Sequence, residues 1–175
     1  RTNLFLPGLG AGGPCLSKDP RILNYYAKTQ NLKTKMINAS IEKSHQSTMR
    51  LVPLISQFIK KNNIKNPKIS LVGLAFKGYP ETDDIRNSPA VDIYKGLAGK
   101  IKNPTFQFCD PIVKDFFSNK VSRNLKECLK DSNVAVFLTN HPSFKNIDSR
   151  EILKVTRKPL MLIDCWHNLK NPEKI

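Results

Sequence analysis

The chain has 175 residues, 39% of them hydrophobic and 25% charged, which is long enough for one or two α/β units with a hydrophobic core. A formal net charge of +15 predicts an acidic partner, such as a nucleic acid, a membrane surface or a phosphorylated small molecule. No stretch approaches the roughly 20 apolar residues that span a bilayer, and the opening RTNLFLPG lacks the apolar core of a signal peptide, so we expect neither membrane insertion nor secretion.

The first part of the chain combines a glycine-rich loop with helical patterns. The loop GLGAGGPCLSKDP covers residues 8–20, and we expect a helix to begin at about Pro20. Apolar residues then recur every three to four positions over residues 35–61, which predicts a long amphipathic helix that Pro53 kinks or divides. The segment NNIKNP, residues 62–67, is typical of a boundary between two units.

Beyond this boundary, short apolar strands alternate with helices. Strands are predicted in KISLVGLAF, TFQFCDP, SNVAVFLTN and KPLMLIDCW, and helices in SPAVDIYKGLAG, NLKECLKD and DSREILKV. The alternation predicts an open parallel sheet with helices on both faces. Ligands of such sheets bind at the carboxyl ends of the strands, so we expect the site in the loops after Phe76, Cys109, Thr139 and Asp164.

Two familiar kinds of site are not indicated. The four cysteines are widely spaced without a CxxC pair and the histidines lack metal-ligand spacing, which favours a reducing, cytoplasmic setting without disulfides or a metal site. A dinucleotide fingerprint GxGxxG is also missing, because LVGLAFKG supplies only Gly73 and Gly78. The sheet is therefore predicted to be Rossmann-like without the usual cofactor signature.

The glycine-rich loop indicates a reactive thiol. Successive glycines let backbone N–H groups approach a ligand closely and deliver Cys15 to the start of the next helix. The helix N-terminus and Lys18 both favour a thiolate there, and Asp19 is placed to orient a water or exchange a proton near the sulfur. Spacing alone leaves a second interpretation open, in which the loop is only a turn, Asp19 caps the helix and Lys18 is a surface residue.

Two motifs, PGLGAGGPCLSKDP and VGLAFKGYPETDDIRNSPA, resemble the C-terminal half of the UDP-glucose/GDP-mannose dehydrogenase family. The segment KGYPETDDIRNSP is most similar to the branch that oxidises UDP-N-acetylmannosamine, and the resemblance covers nearly the whole chain. It implies a catalytic-cysteine loop with a helical dimerisation domain over residues 1–66 and a Rossmann-like UDP-sugar-binding domain over residues 67–175. The NAD-binding domain of the family lies upstream and is expected to be absent from this chain.

The resemblance also implies a chemistry and a set of site residues. The family oxidises a sugar 6-hydroxyl to a carboxylate in two NAD-dependent steps, with a cysteine that holds the aldehyde as a thiohemiacetal and then as a thioester. By resemblance the catalytic residues are Cys15 and Asp19, and the cofactor contacts are Cys15, Lys18 and Arg86. The substrate-binding residues that it implies are Leu4, Phe5, Leu6, Pro7, Gly8, Gly12, Phe76 and Lys77.

The chain departs from the family pattern near its end. It has DCWHNL where many members carry a D-G-R motif, which leaves Trp166 in place of an arginine that touches the substrate. UDP-glucose is for this reason the less suitable substrate. For Arg86, an ion pair with Asp83 or Asp84 is the alternative to a cofactor contact.

Two functions of different class remain open. The first is an NAD-dependent UDP-sugar dehydrogenase with a role in polysaccharide biosynthesis, present as its C-terminal part and inactive by itself. The second is a basic nucleotide- or nucleic-acid-binding module without catalysis, which an aromatic content of 8% does not favour. We also expect a homodimer, because the helical stripe over residues 35–61 is more than one small domain can cover. No nucleic-acid, membrane or metal partner is expected.

Overall fold

The computed structural model describes residues 8–171. The helices are α1 (Asp19–Thr29), α2 (Lys35–Met49), α3 (Leu51–Lys61), α4 (Pro89–Lys100), α5 (Leu125–Leu129) and α6 (Ser149–Val155), with a short 3-10 helix at Pro142–Phe144. The strands are β1 (Lys68–Val72), β2 (Thr105–Cys109), β3 (Asp115–Phe116), β4 (Asn119–Lys120), β5 (Val134–Phe137), β6 (Ile147–Asp148), β7 (Met161–Asp164) and β8 (Leu169–Lys170).

The predicted parallel sheet is confirmed. Four strands are ordered β2-β1-β5-β7, and every neighbouring pair is parallel. The chain adds β2 on one side of β1 and then β5 on the other side, so the direction of strand addition reverses between β1 and β5. The carboxyl ends of the strands meet at one edge, where Val72 pairs with Cys109 and with Phe137.

Helices cover both faces of this sheet, as the alternation predicts. Successive residues of a strand point to opposite faces, and Ile69 and Leu71 pack in one core with residues of α3 and α4. Val72 belongs to a second core that includes residues of α5 and α6. The central strands β1 and β5 are buried on both faces, which explains their nearly continuous apolar sequences.

The predicted helix over residues 35–61 is divided, but not at the proline. The break lies at Arg50, and Pro53 is in the first turn of α3. A proline is tolerated there because the first N–H groups of a helix have no partner within the helix. The helix α1 begins at Asp19, one residue earlier than predicted, and no side chain caps it, so the expectation that Asp19 is the N-cap is wrong.

The apolar stripe over residues 35–61 was expected to be more than the chain itself can cover. For the part of the stripe that lies on α3, this expectation is wrong. Val52, Ile55 and Ile59 are buried in the same core as the sheet residues, so the chain itself fills this face. Leu54 of α3 is exposed, but most exposed large apolar side chains lie around α1 and its connection to α2: Leu16, Ile22, Leu23, Tyr25, Tyr26, Leu32 and Met36. Periodicity shows that a helix has an apolar face, but it does not show which element covers that face.

Two further findings concern the edge of the sheet and the membrane. The strand β7 is half-buried because β5 is its only sheet partner in residues 8–171. Within the same residues, no helix is both long enough and apolar enough to cross a bilayer.

Candidate functional site

The glycine-rich loop lies directly against the loop that follows β1. The backbone N–H of Gly13 donates to the carbonyl of Arg86 at 3.2 Å, and a Cβ atom at Gly13 would lie 2.6 Å from Cδ2 of Phe76. Gly13 has a φ of +86°, which a residue with a side chain adopts at a cost. At Gly12, a Cβ atom would lie 2.8 Å from the carbonyl oxygen of Asn87. The two motifs are therefore in contact, and only glycine fits between them.

Side-chain hydrogen bonds hold the glycine-rich loop on two sides. Ser17 Oγ donates to the carbonyl of Gly13 at 2.6 Å and accepts from Asn87 Nδ2 at 2.9 Å. On the side of α2, the N–H of Ala11 donates to Ser44 Oγ at 2.8 Å. The loop thus connects the helical segment with the sheet domain.

Cys15 is exposed in the turn that leads into α1. Its carbonyl accepts hydrogen bonds from the N–H groups of Lys18 at 3.0 Å and Asp19 at 2.8 Å. Lys18 Nζ lies 2.6 Å from Asp19 Oδ1, and this hydrogen bond and charge raise the pKa of Lys18, with a smaller increase from the Cys15 sulfur. The thiol, a cation and a carboxylate therefore share one exposed turn.

Arg86 forms an ion pair with Asp84. Its guanidinium Nη2 lies 2.7 Å from Asp84 Oδ2, and its Nε donates to both carboxylate oxygens at 3.0 Å. These hydrogen bonds lower the pKa of Asp84 and raise that of Arg86, to which the charge of Cys15 adds a smaller increase. The alternative interpretation of Arg86 as an ion-pair partner of Asp84 is thus observed, and its contact with a cofactor stays a prediction.

Phe76 and Lys77 are half-buried in the first part of the loop that follows β1. The N–H of Phe76 donates to the carbonyl of Asp84 at 3.0 Å, and Lys77 Nζ lies 5.4 Å from the centroid of the Phe76 ring. The ammonium group lies over the aromatic ring, and such a pair suits a ligand that combines a base with phosphates.

Asp110, at the end of β2, holds the same loop in place. Its Oδ2 accepts from the N–H groups of Leu74 at 2.7 Å and Ala75 at 3.4 Å, while Oδ1 accepts from Ile112 and Val113, both at 2.9 Å. In dinucleotide-binding folds an acidic residue after an early strand binds the ribose hydroxyls. Here it is buried and its oxygens are occupied by backbone donors. Asp110 is not among the site residues predicted from the sequence, although the Asp-Pro after a strand was a signal for it.

The crevice between the ends of β1 and β5 is closed. A Cβ atom at Gly73 would lie 3.0 Å from Cβ of Thr139, and one at Gly78 would lie 2.6 Å from Cα of His141. The N–H of Gly78 also donates to Asn140 Oδ1 at 3.1 Å. Dinucleotides bind in this crevice in open α/β sheets. Its closure agrees with the missing fingerprint and leaves the outer loop at Phe76 as the accessible part of the site.

His141 is the buried histidine of this edge. Its Nδ1 accepts from the N–H of Ser143 at 3.1 Å, and its Nε2 lies 3.0 Å from Glu81 Oε1, outside hydrogen-bonding geometry. Over residues 8–171, no three His, Cys, Asp or Glu side chains are grouped to hold a metal ion.

The four cysteines differ in exposure, and none forms a disulfide. Cys109 and Cys128 are buried, and the pKa of Cys109 is raised by its hydrogen bond to Cys128 and by burial. Burial raises the pKa of Cys165 to about 12, whereas Cys15 is the exposed thiol.

The structure brings most of the predicted site residues together around the glycine-rich loop. Those in contact with it or adjacent to it are Gly12, Cys15, Lys18, Asp19, Phe76, Lys77 and Arg86. Gly8 lies apart from this group, under the ring of Trp166. The predicted substrate residues Leu4, Phe5, Leu6 and Pro7 lie outside the described residues and stay predictions.

The fold and the site define a class: a Rossmann-like α/β domain joined to a helical segment whose glycine-rich loop carries an exposed thiol. Residues 70–171 match the UDP binding domain of the UDP-glucose/GDP-mannose dehydrogenase family, and residues 1–46 match its central domain. The chain belongs to this family.

Individual relatives agree with the family assignment. A UDP-N-acetyl-D-mannosamine dehydrogenase of Methanococcus maripaludis is 34% identical over 90% of this chain, and one of Campylobacter jejuni is 32% identical over 87%. The structure of the Pyrococcus horikoshii UDP-D-ManNAc dehydrogenase is similar over 98% of the chain, with 29% identity and a TM-score of 0.79. The chain spans 35%, 37% and 38% of these three proteins, respectively.

Proposed function

We propose that this chain is the C-terminal part of an NAD-dependent nucleotide-sugar 6-dehydrogenase that oxidises UDP-N-acetylmannosamine to its uronic acid. The observation that carries the proposal is the contact of Gly12 and Gly13 with the Phe76 loop, because the exposed Cys15 follows these glycines and Lys77 lies over the Phe76 ring. The names of the relatives support the choice of substrate.

In this proposal, Phe76 and Lys77 bind the nucleotide. The Phe76 ring offers a face for the uracil base, and Lys77 Nζ offers a positive charge for the diphosphate. The sugar then extends from the diphosphate along the exposed side of the glycine-rich loop toward Cys15.

The thiol retains the reactive intermediate. Cys15 Sγ attacks C6 of the aldehyde formed in the first oxidation, so that a C–S bond forms and the carbonyl oxygen takes a proton to give a thiohemiacetal. Loss of hydride from C6 and of the hydroxyl proton then gives a thioester, which water hydrolyses to the carboxylate and the free thiol. Asp19 accepts the proton of the attacking water in this scheme. NAD, when bound, would supply the hydride acceptor for both oxidations.

The exposed side of the loop fits an anionic cofactor. Lys18 and Arg86 supply cations near the thiol, and a cavity of about 490 Å³ adjoins Lys18. This cavity is lined by Ser17, Lys18, Arg21, Ile22, Tyr25 and Asn87. Because the crevice of the sheet is closed, we propose that NAD is held mainly by a domain outside this chain and that the chain alone does not oxidise UDP-sugars.

The remaining parts of the proposal concern organisation. We propose that residues 1–66 form the catalytic loop and dimerisation domain, that residues 67–175 form the UDP-sugar domain, and that the protein is a cytoplasmic homodimer. The exposed apolar side chains around α1 support the dimer, since a second copy would cover them.

Calorimetric titration of this chain with UDP-N-acetylmannosamine tests the nucleotide site. A charge-assisted contact to phosphate contributes about 1.5–3 kcal/mol, so Lys77→Met should weaken binding roughly 10- to 100-fold. The matched control is Lys95→Met, because Lys95 also lies over an aromatic ring, that of Phe117, away from the site. Equal affinity of the two variants contradicts the nucleotide site. Tighter, salt-sensitive binding of a single-stranded oligonucleotide favours the alternative function.

A further inference from the structure

Trp166 is the single tryptophan of the chain and is held in one orientation at the carboxyl edge of the sheet. Its Nε1 donates to the carbonyl of Leu138, the residue after β5, at 2.9 Å. Its backbone N–H donates to Asp164 Oδ1, at the end of β7, at 3.1 Å. The indole is therefore fixed to the ends of two neighbouring strands.

The segment around the indole is also held in place. The second oxygen of Asp164 accepts from the N–H of Leu169 at 2.9 Å, and Asn168 Nδ2 donates to the carbonyl of Thr139 at 3.0 Å. Asn168 is buried, so this hydrogen bond is protected from water. Trp166 thus belongs to a loop with fixed geometry.

The ring of Trp166 covers Gly8, the first glycine of the loop. A Cβ atom at Gly8 would lie 2.6 Å from Cη2 and 2.9 Å from Cε2 of the indole. Since rigid ring atoms occupy this space, a larger residue at position 8 would displace either the loop or the ring. The same loop meets the Phe76 ring at Gly13. Two aromatic rings of the sheet domain therefore hold the loop at two points, and Cys15 follows the second one.

We propose that Trp166 is a positioning residue for the reaction described above: its indole holds the start of the glycine-rich loop on the sheet, and this contact fixes Cys15 relative to Lys77. The inference rests on the proposed function. Trp166 acts through Gly8, so removal of the indole should leave nucleotide binding intact and disturb the placement of the sugar at the thiol. A residue needed only for folding would change both together.

The test uses this chain and two measurements. Calorimetry with UDP reports the nucleotide site, and the rate at which iodoacetamide alkylates Cys15 reports whether the sugar of UDP-N-acetylmannosamine covers the thiol. At a ligand concentration of about ten times its Kd, the parent chain should be alkylated roughly tenfold more slowly than without ligand. Trp166→Ala should keep the affinity for UDP and lose this protection.

Matched variants make the result specific. Trp166→Phe keeps an aromatic ring without the Nε1 hydrogen bond and should retain part of the protection. Gly8→Ala should lose protection of Cys15 as Trp166→Ala does. The double variant Gly8→Ala/Trp166→Ala should lose no more protection than either single variant, because all three remove the same contact. Gly99→Ala is the control, since nothing lies within 4 Å of a Cβ atom there.

The outcomes separate the two proposals. If the parent chain does not bind UDP, the proposed function is overturned and this inference falls with it. If the parent binds UDP and the sugar still protects Cys15 in Trp166→Ala, only the positioning role is overturned. Loss of UDP affinity together with a lower melting temperature in both Trp166 variants also overturns it, because that result describes a residue needed only for folding.

Discussion

The ring of Phe76 occupies the space that a side chain on Gly13 would need, with Cδ2 only 2.6 Å from the ideal Cβ position. The backbone of Gly13 also has a positive φ, and its N–H donates to Arg86 in the second motif. Steric space and backbone conformation therefore both require glycine at this contact. Several properties of the site depend on it.

Replacement of Gly13 by alanine tests the contact directly. The positive φ costs about 1–2 kcal/mol for a residue with a Cβ atom, and displacement of the Phe76 ring adds to this, so Gly13→Ala should lower the free energy of unfolding by at least that amount. Gly99→Ala has open space around it in α4 and should raise the same quantity by about 0.5–1 kcal/mol. Urea denaturation of both variants measures the difference. Equal stabilisation of the two would show that Gly13 is not constrained.

The thiols should react in an order set by exposure. In the native chain, Ellman's reagent should modify Cys15 first, because Cys109 and Cys128 are buried. Cys165 should react slowly up to mildly alkaline pH, since burial raises its pKa to about 12 and the thiolate is the reactive form. Cys15→Ser should remove the fast phase and leave the slow ones. A fast phase that persists in this variant would assign the reactive thiol to another residue.

The ion pair between Arg86 and Asp84 should be visible in a carboxyl titration. Arg86 lowers the pKa of Asp84, so the pair stabilises the fold above the unfolded pKa of about 3.9, and this contribution is lost as the pH falls through the lower folded pKa. In Arg86→Gln the pKa of Asp84 should rise toward its ordinary value, as measured by carbon-13 NMR. The pair is exposed, so the melting temperature should change little.

A second pair of the same kind provides the control for this titration. Arg150 lowers the pKa of Asp148 to about 2 through the same side-chain and backbone hydrogen bonds. Arg150→Gln should raise the pKa of Asp148 and leave that of Asp84 unchanged. If the pKa of Asp84 were the same in Arg86→Gln as in the parent, the ion pair between Arg86 and Asp84 would not exist in solution.

The roles of Cys15 and Asp19 are tested in an enzyme that combines this chain with a NAD-binding domain. Cys15→Ser should bind the UDP-sugar but fail to form the carboxylate, because serine is much less nucleophilic than a thiolate. Asp19→Asn should lower turnover about 100-fold or more, as expected for the loss of a general base. Its melting temperature should stay close to that of the parent, since Asp19 does not cap α1. Near-normal turnover of both variants would show that the glycine-rich loop has no catalytic function.

The local elements could be predicted from the amino-acid sequence. The apolar runs of β1 and β5 and the Ser-Pro start of α4 predicted the strands and the helix, and Ser88 does cap α4 by accepting from Ala90 N–H at 3.2 Å. The motifs also identified the family. These features depend on residues close in sequence, whose spacing and side-chain chemistry can be read directly.

Only the tertiary structure decided how these elements meet. The packing of α3 against the sheet, the hydrogen bonds from the N–H groups of Leu74 and Ala75 to Asp110 and the two rings against Gly8 and Gly13 all join residues far apart in the chain. The pattern of one segment specifies that an apolar face or a glycine is needed, but not which partner it meets. That choice depends on which close-packed arrangement of all the segments satisfies the buried polar groups and leaves no steric overlap.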